Sequence, residues 1–199
     1  WYSLHTQLSS EEIIYESKIA RELGMETVIV DAGWYTESES DAFAKTCGDW
    51  EICKKKIPDM QALVDEIHKL GMKFMVWFSV PFVGFDSENH KRFKDRFLCD
   101  RPGVFASVLD PRFPEVRRFL INTYCNYVKK YNWDGLKLDF IDRFIINDES
   151  SKEYDKMDTP SVNVALQLLL NEATTELKKI DPEIMIEFRQ SYIGPVLIQ

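Results

Sequence analysis

Four short runs of the chain are apolar at nearly every position: Thr27-Val28-Ile29-Val30-Asp31, Lys73-Phe74-Met75-Val76-Trp77-Phe78-Ser79, Leu136-Lys137-Leu138-Asp139-Phe140 and Ile184-Met185-Ile186-Glu187-Phe188. Strands that are apolar on both faces are covered on both faces, which is the habit of parallel sheets flanked by crossover helices. Helical patterns stand in the required places. Ser9-Ser10-Glu11-Glu12 offers a capping box ahead of Ile13, Ile19, Ala20 and Leu23, with Gly24 as the stop. Pro58 suits the first turn of a helix carrying Met60, Leu63, Val64, Ile67 and Leu70 up to Gly71. Pro114 opens a third helix, with Val116, Leu120, Tyr124, Tyr127 and Val128 on one side, and a fourth runs from near Pro160 to Asp181-Pro182. Trp1 to His5 reads as one more strand, making five.

Residues 35–57, 81–110 and 147–159 interrupt this rhythm, each following a strand and preceding a helix. Such connections lie at the C-terminal edge of a parallel sheet, where α/β proteins bind ligands. A doubly wound sheet and a (β/α)8 TIM barrel both suit an α/β chain of this kind. The dinucleotide version of the first needs a glycine-rich turn after its first strand, and His5-Thr6-Gln7-Leu8-Ser9 has no glycine. Charged groups repeated at strand ends favour the barrel, of which residues 1–199 would supply about the first five βα units.

Composition removes several function classes. Thirty-three acidic residues against twenty-five Lys and Arg give a net charge of -8, which opposes a polyanion, so no nucleic acid is expected as partner. No apolar window approaches a membrane span and no secretory leader is visible, so a cytoplasmic protein with no membrane partner is expected. Cys47, Cys53, Cys99 and Cys125 lack zinc-ligand spacing, and only Cys47 and Cys53 are near enough in sequence for a local bridge.

Lys137 and Asp139 carry the strongest chemical signal. Two residues apart on a strand they share a face, opposite Leu136, Leu138 and Phe140. Burying either charge alone is costly, and the ammonium beside it would favour the carboxylate form of Asp139, which suits a nucleophile or a metal ligand. Asp31 ends its strand ahead of Ala32-Gly33-Trp34, where a carboxylate could accept bonds from hydroxyls and Trp34 could form an apolar wall. A turn cap and a loop anchor are the plain alternatives for that pair. Trp77 lies on an inward face with Ser79, and Glu187 shares a face with Arg189, the nearer of those two to the mouth. Asp142 reads as a turn cap, His5 could reach the mouth, and His68 and His90 have solvent as their default neighbour.

Trp1-Tyr2-Ser3, Val30-Asp31-Ala32-Gly33-Trp34, Ile57-Pro58-Asp59-Met60, Gly71 to Phe78, Val108-Leu109-Asp110-Pro111 and Gly135-Leu136-Lys137-Leu138-Asp139 form an ordered set. Together they resemble the retaining α-galactosidases of the glycoside hydrolases and their raffinose-synthase-like relatives, whose catalytic domain is a (β/α)8 barrel. The resemblance implies that Asp139 is the catalytic nucleophile and that Lys137, Asp31, Trp34 and Trp77 bind the substrate. Arg189 falls after the fifth strand, where that family has a polar turn, and is a further substrate-binding candidate. The implied partner is an oligosaccharide or glycoside, with no cofactor and no metal. Ala32 stands where the family has the second aspartate of a pair, and Glu187 to Tyr192 replace a cysteine-serine-glycine run. The acid/base aspartate of such enzymes ends a sixth strand, so it is expected outside this chain.

Two other readings stay open: a metal-assisted hydrolase or lyase in which Asp31, Asp139 and Glu187 hold a divalent cation, which the Lys137 ammonium opposes, and a sugar-binding module without catalysis. In any of them an unclosed barrel leaves two sheet edges, so contact with the rest of a barrel or self-association is expected.

Overall fold

The helix ends follow from their capping residues. In the computed structural model, which describes residues 4–37, 42–146, 150, 152 and 154–189, Ser9 caps α1 (Ser10–Glu22) by accepting from the Glu12 N–H, and its hydroxyl donates to the Glu12 carboxylate. Gly24 follows in the left-handed region at φ +87, where a side chain would be strained. Asp59, not Pro58, opens α2 (Met60–Lys69), because its carboxylate accepts from the Ala62 N–H at 3.0 Å. Pro114 takes the first turn of α4 (Pro114–Tyr131), and Ser161 caps α5 (Val162–Ile180).

These helices alternate with parallel strands β1 (Thr27–Val30), β2 (Lys73–Ser79), β6 (Gly135–Asp139) and β7 (Met185–Phe188), hydrogen-bonded in the order β1-β2-β6-β7. The result is an α/β architecture with a four-stranded parallel sheet. Val30, Val76, Phe78, Leu136 and Leu138 face the helices and are buried almost completely, against Leu63, Val64, Leu120, Leu169 and Leu170 among others. Adjacent residues on each strand face the other way. That side is close-packed at its base, where Gly135 has no room for a Cβ: one would lie 2.5 Å from the Met185 carbonyl oxygen and 2.9 Å from Met75.

Two expectations fail. The strand anticipated from Trp1 to His5 is absent over its described part: residues 4–6 form a turn, with His5 at φ +49, and residues 1–3 lie outside the described set. The connection 81–110 is also more ordered than expected. It contains β3 (Phe82–Gly84), α3 (Glu88–Arg92), β4 (Phe97–Arg101) and β5 (Ala106–Leu109), with the strands in an antiparallel sheet ordered β3-β5-β4. Ser87 caps α3, and the Asp49 carboxylate accepts from the N–H groups of Glu88 and Asn89, tying this small sheet to the connection that follows β1.

Candidate active site

Register brings the site together. Val30 pairs with Val76, Trp77 with Lys137 and Lys137 with Glu187, so Asp31, Trp77, Lys137 and Glu187 occupy one level across four strands. Ser79 pairs with Asp139, and Arg189 follows Phe188, the partner of Leu138, at the level above. Both levels lie at the C-terminal ends of the strands and face away from the helices.

Asp139 is 7% exposed and both carboxylate oxygens are engaged. The indole Nε1–H of Trp77 donates to Oδ2 at 2.8 Å, and the Phe140 N–H donates to Oδ1 at 2.8 Å. A carboxylate held by two donors is fixed in orientation. Lys137 does not make the expected contact with Asp139. Its ammonium reaches across β2 to donate to Asp31 Oδ2, and the other Asp31 oxygen accepts from the Ala32 N–H at 2.8 Å. With side chains 12% and 10% exposed, Lys137 and Asp31 form a mostly dehydrated ion pair one level below Asp139. Gly33 turns the chain away at φ +120, pressed so closely on Thr6 that a Cβ would lie 2.8 Å from its Cα.

The aromatic residues divide into a buried set and a rim. Trp34 is fully enclosed, so it is no wall of the mouth: it donates to the Trp77 carbonyl at 2.8 Å and packs on Trp50, Phe78 and Trp133. Tyr35 lies parallel to Trp77, with centroids 6.0 Å apart and planes 10° apart, and backs the indole that holds Asp139. Burial raises the Tyr35 hydroxyl well above its ordinary value and pushes the Cys47 thiol beside it up to about 12. Cys47 Sγ is 3.3 Å from that hydroxyl, and both Cys47 and Cys53 are free thiols, so the local bridge does not form.

Phe140 also departs from expectation. Its φ of +63 takes the ring off the helix-facing side and places it against Trp77, Phe43 and Phe82. Tyr35, Phe43 and Phe140 carried no sequence signal beyond being aromatic and following strand ends. Arg189 is largely open, 44% exposed, with its guanidinium 3.8 Å from Glu187. His5 lies in the turn ahead of α1; His68 bonds to Asp134 at 2.7 Å at the opposite end of the strands, and His90 to Ser107 at 2.9 Å. Asp142 pairs with Arg143 at 3.6 Å in the turn after β6. Among the described residues no three His, Cys, Asp or Glu side chains converge as a metal site requires, and no helix is long and apolar enough to cross a membrane.

Comparison with known proteins bears on the family and the fold. A family model described as Melibiase matches residues 1–194. The α-galactosidase AgaA of Geobacillus stearothermophilus is 30% identical over 132 residues, covering 63% of this chain and 18% of that protein. The α-galactosidase Mel36A of Lactobacillus acidophilus is 28% identical over 104 residues, covering 52% and 14%. Among solved structures, a double variant of AgaA in complex with stachyose superposes with a TM-score of 0.77 at 24% identity, over 94% of this chain and 26% of that one. The chain thus spans less than a fifth of the curated relatives named here.

Proposed function

This chain belongs to the melibiase family, and from that premise we propose that it supplies the nucleophile half of an α-galactosidase-like glycoside hydrolase acting on an oligosaccharide or simpler glycoside. Residues 1–199 are read as the N-terminal part of a (β/α)8 catalytic barrel, of which the four parallel strands form one contiguous wall. The observation that carries the proposal is the state of Asp139: nearly buried at the C-terminal end of β6, held by two N–H donors, with a second carboxylate and an ammonium one level beneath it.

In a retaining hydrolysis a carboxylate attacks the anomeric carbon, while a second carboxyl about 5 Å away protonates the departing oxygen and then activates water. Asp139 is suited to the first role. Its oxygens are preoriented, and the Trp77 and Phe140 donors stabilise the carboxylate again when it departs from the glycosyl-enzyme. Asp31 and Lys137 offer the deeper end of the site an acceptor and donors for sugar hydroxyls, and each gives the other its counter-charge. Arg189 is read as a binding group at the rim, Trp77, which is buried, as the donor that holds Asp139 beneath the site, and Trp34 as the anchor under Trp77. The acid/base carboxyl is read as coming from outside this chain, and no cofactor is invoked.

The test is Asp139→Ala in the full-length protein, assayed on an aryl α-galactoside. Turnover should fall by several orders of magnitude, with roughly 10²-fold restored by azide acting as a substitute nucleophile. Activity within a few-fold of the parent would overturn the assignment.

A further inference from the structure

Phe140 holds a backbone conformation that bulky side chains rarely adopt, φ +63 and ψ 24. Strain of this kind persists where its surroundings enforce it. Here it does two things at once. It turns the Phe140 N–H onto Asp139 Oδ1 at 2.8 Å, and it swings the ring to the mouth instead of to the helix-facing side where Leu136 and Leu138 pack. There the ring lies parallel to Phe43, with centroids 6.2 Å apart and planes 12° apart, and edge-on to Trp77 at 6.2 Å and 87°. Trp77 and Phe82 are buried, whereas Phe43 and Phe140 both keep part of their surface open.

Depth along β6 assigns the rings a role. Lys137 and its partner Asp31 lie below Asp139, and Phe140 follows it. A sugar whose hydroxyls reach the Asp31–Lys137 pair has its anomeric carbon at the level of Asp139, so its leaving group points toward Phe140 and Phe43. We infer that Phe140 and Phe43 form a leaving-group subsite for a flat-faced ring, a pyranose or an aryl group, and so select ring leaving groups over small alkyl ones. Aromatic faces offer such rings a large apolar contact at little entropic cost. The inference rests on the glycosidase reading above.

The experiment measures binding in an Asp139→Asn background of the full-length protein, where nothing turns over, by calorimetric titration with p-nitrophenyl α-galactoside and with methyl α-galactoside. Phe140→Gly removes the ring while accepting the left-handed backbone and keeping the N–H. Phe43→Leu keeps apolar bulk but loses the flat face, and covers the case in which the first variant fails to fold. In each, the preference for the aryl over the methyl glycoside should drop by about tenfold, the size of one lost apolar contact in a binding pocket. A preference unchanged in both variants, with binding intact, overturns the subsite and leaves the glycosidase reading standing. Absence of binding to either glycoside before the rings are touched overturns both.

Discussion

Lys137 and Asp139 share a side of β6, yet the ammonium bonds to Asp31, 106 positions earlier in the chain. That shared side was legible in the two-residue period of the strand. The partner was not, because the choice depends on which strand lies alongside and on the length of a lysine reaching past Trp77. The consequence is measurable as coupling. Lys137→Met should destabilise the protein by leaving the Asp31 carboxylate buried without its cation, Asp31→Asn should destabilise it by leaving the ammonium without its anion, and the double variant should lose less than the two together. A coupling energy of about 0.5–3 kcal/mol is expected from denaturant unfolding, the range for residues in direct contact, and additivity within about 0.3 kcal/mol would mean that the pair does not hold in solution. Trp34 teaches the same lesson from the other side. An aromatic residue after a strand end reads equally well as a sugar wall or as a core anchor, and only its complete burial decides. Cys47 yields a chemical test at this scale. Burial raises its thiol to about 12, so almost none is thiolate at neutral pH, and the folded protein should leave Cys47 unmodified by iodoacetamide at pH 8 while the denatured chain reacts. Peptide mapping of alkylated Cys47 from native protein would contradict the packing around Tyr35.

The four longer helices lie where the sequence placed them because caps and apolar stripes are local properties: Ser9 and Pro114 open α1 and α4 as read, while Asp59 and Ser161 cap α2 and α5 one residue after the prolines that marked those starts. The antiparallel sheet escaped for the opposite reason. Phe82–Gly84 is three residues long, Ala106–Leu109 is buried throughout, and the β4–β5 ladder shifts register between Phe97 and Cys99, so none shows a two-residue alternation long enough to read. Elements are also joined by contacts that sequence does not announce. Arg117 on α4 is buried, donates to the Pro111 carbonyl and to both oxygens of Asp158 ahead of α5, and thereby ties α4 to the start of α5. Its hydrogen bonds hold the Asp158 carboxyl below its ordinary value, against a smaller opposing effect of burial. A carboxyl lowered in the folded state contributes stability that is complete above the unfolded value, about pH 4, and fades as pH falls through the folded value. Asp158→Asn should therefore lower the melting temperature by a constant amount between about pH 5 and pH 7, and the gap to the parent should close below about pH 4. A gap that stays constant into acid would show that the carboxylate charge is not what Arg117 uses.

At the scale of the molecule the sheet has two open sides. Each of β1 and β7 has a single partner among the described residues, and their side chains are only partly covered apart from Val30, whereas β2 and β6 are buried along almost their whole length. Beside β1 runs a groove of about 360 Å3 lined by Leu8, Ile13, Ile19, Leu23, Val28 and Ile29, and its lip is apolar, with Leu23 and Met25 73% and 54% exposed. Unpaired backbone donors and acceptors next to uncovered apolar side chains recruit another strand or another molecule. Parallel sheets with helices on one face are stable when the other face and both edges are covered, as closure into a barrel achieves. Residues 1–199 expressed alone should therefore self-associate. In sedimentation velocity the weight-average coefficient should rise with concentration, and dye binding should report exposed apolar surface. Changing Leu23 and Ile19 to lysine should weaken that association, since both lie on the exposed lip and neither supports the buried stripe of α1 formed by Ile13 and Ser17. A concentration-independent monomer that melts in one cooperative step would sink the argument, because it would mean that the β1 and β7 edges need no cover at all.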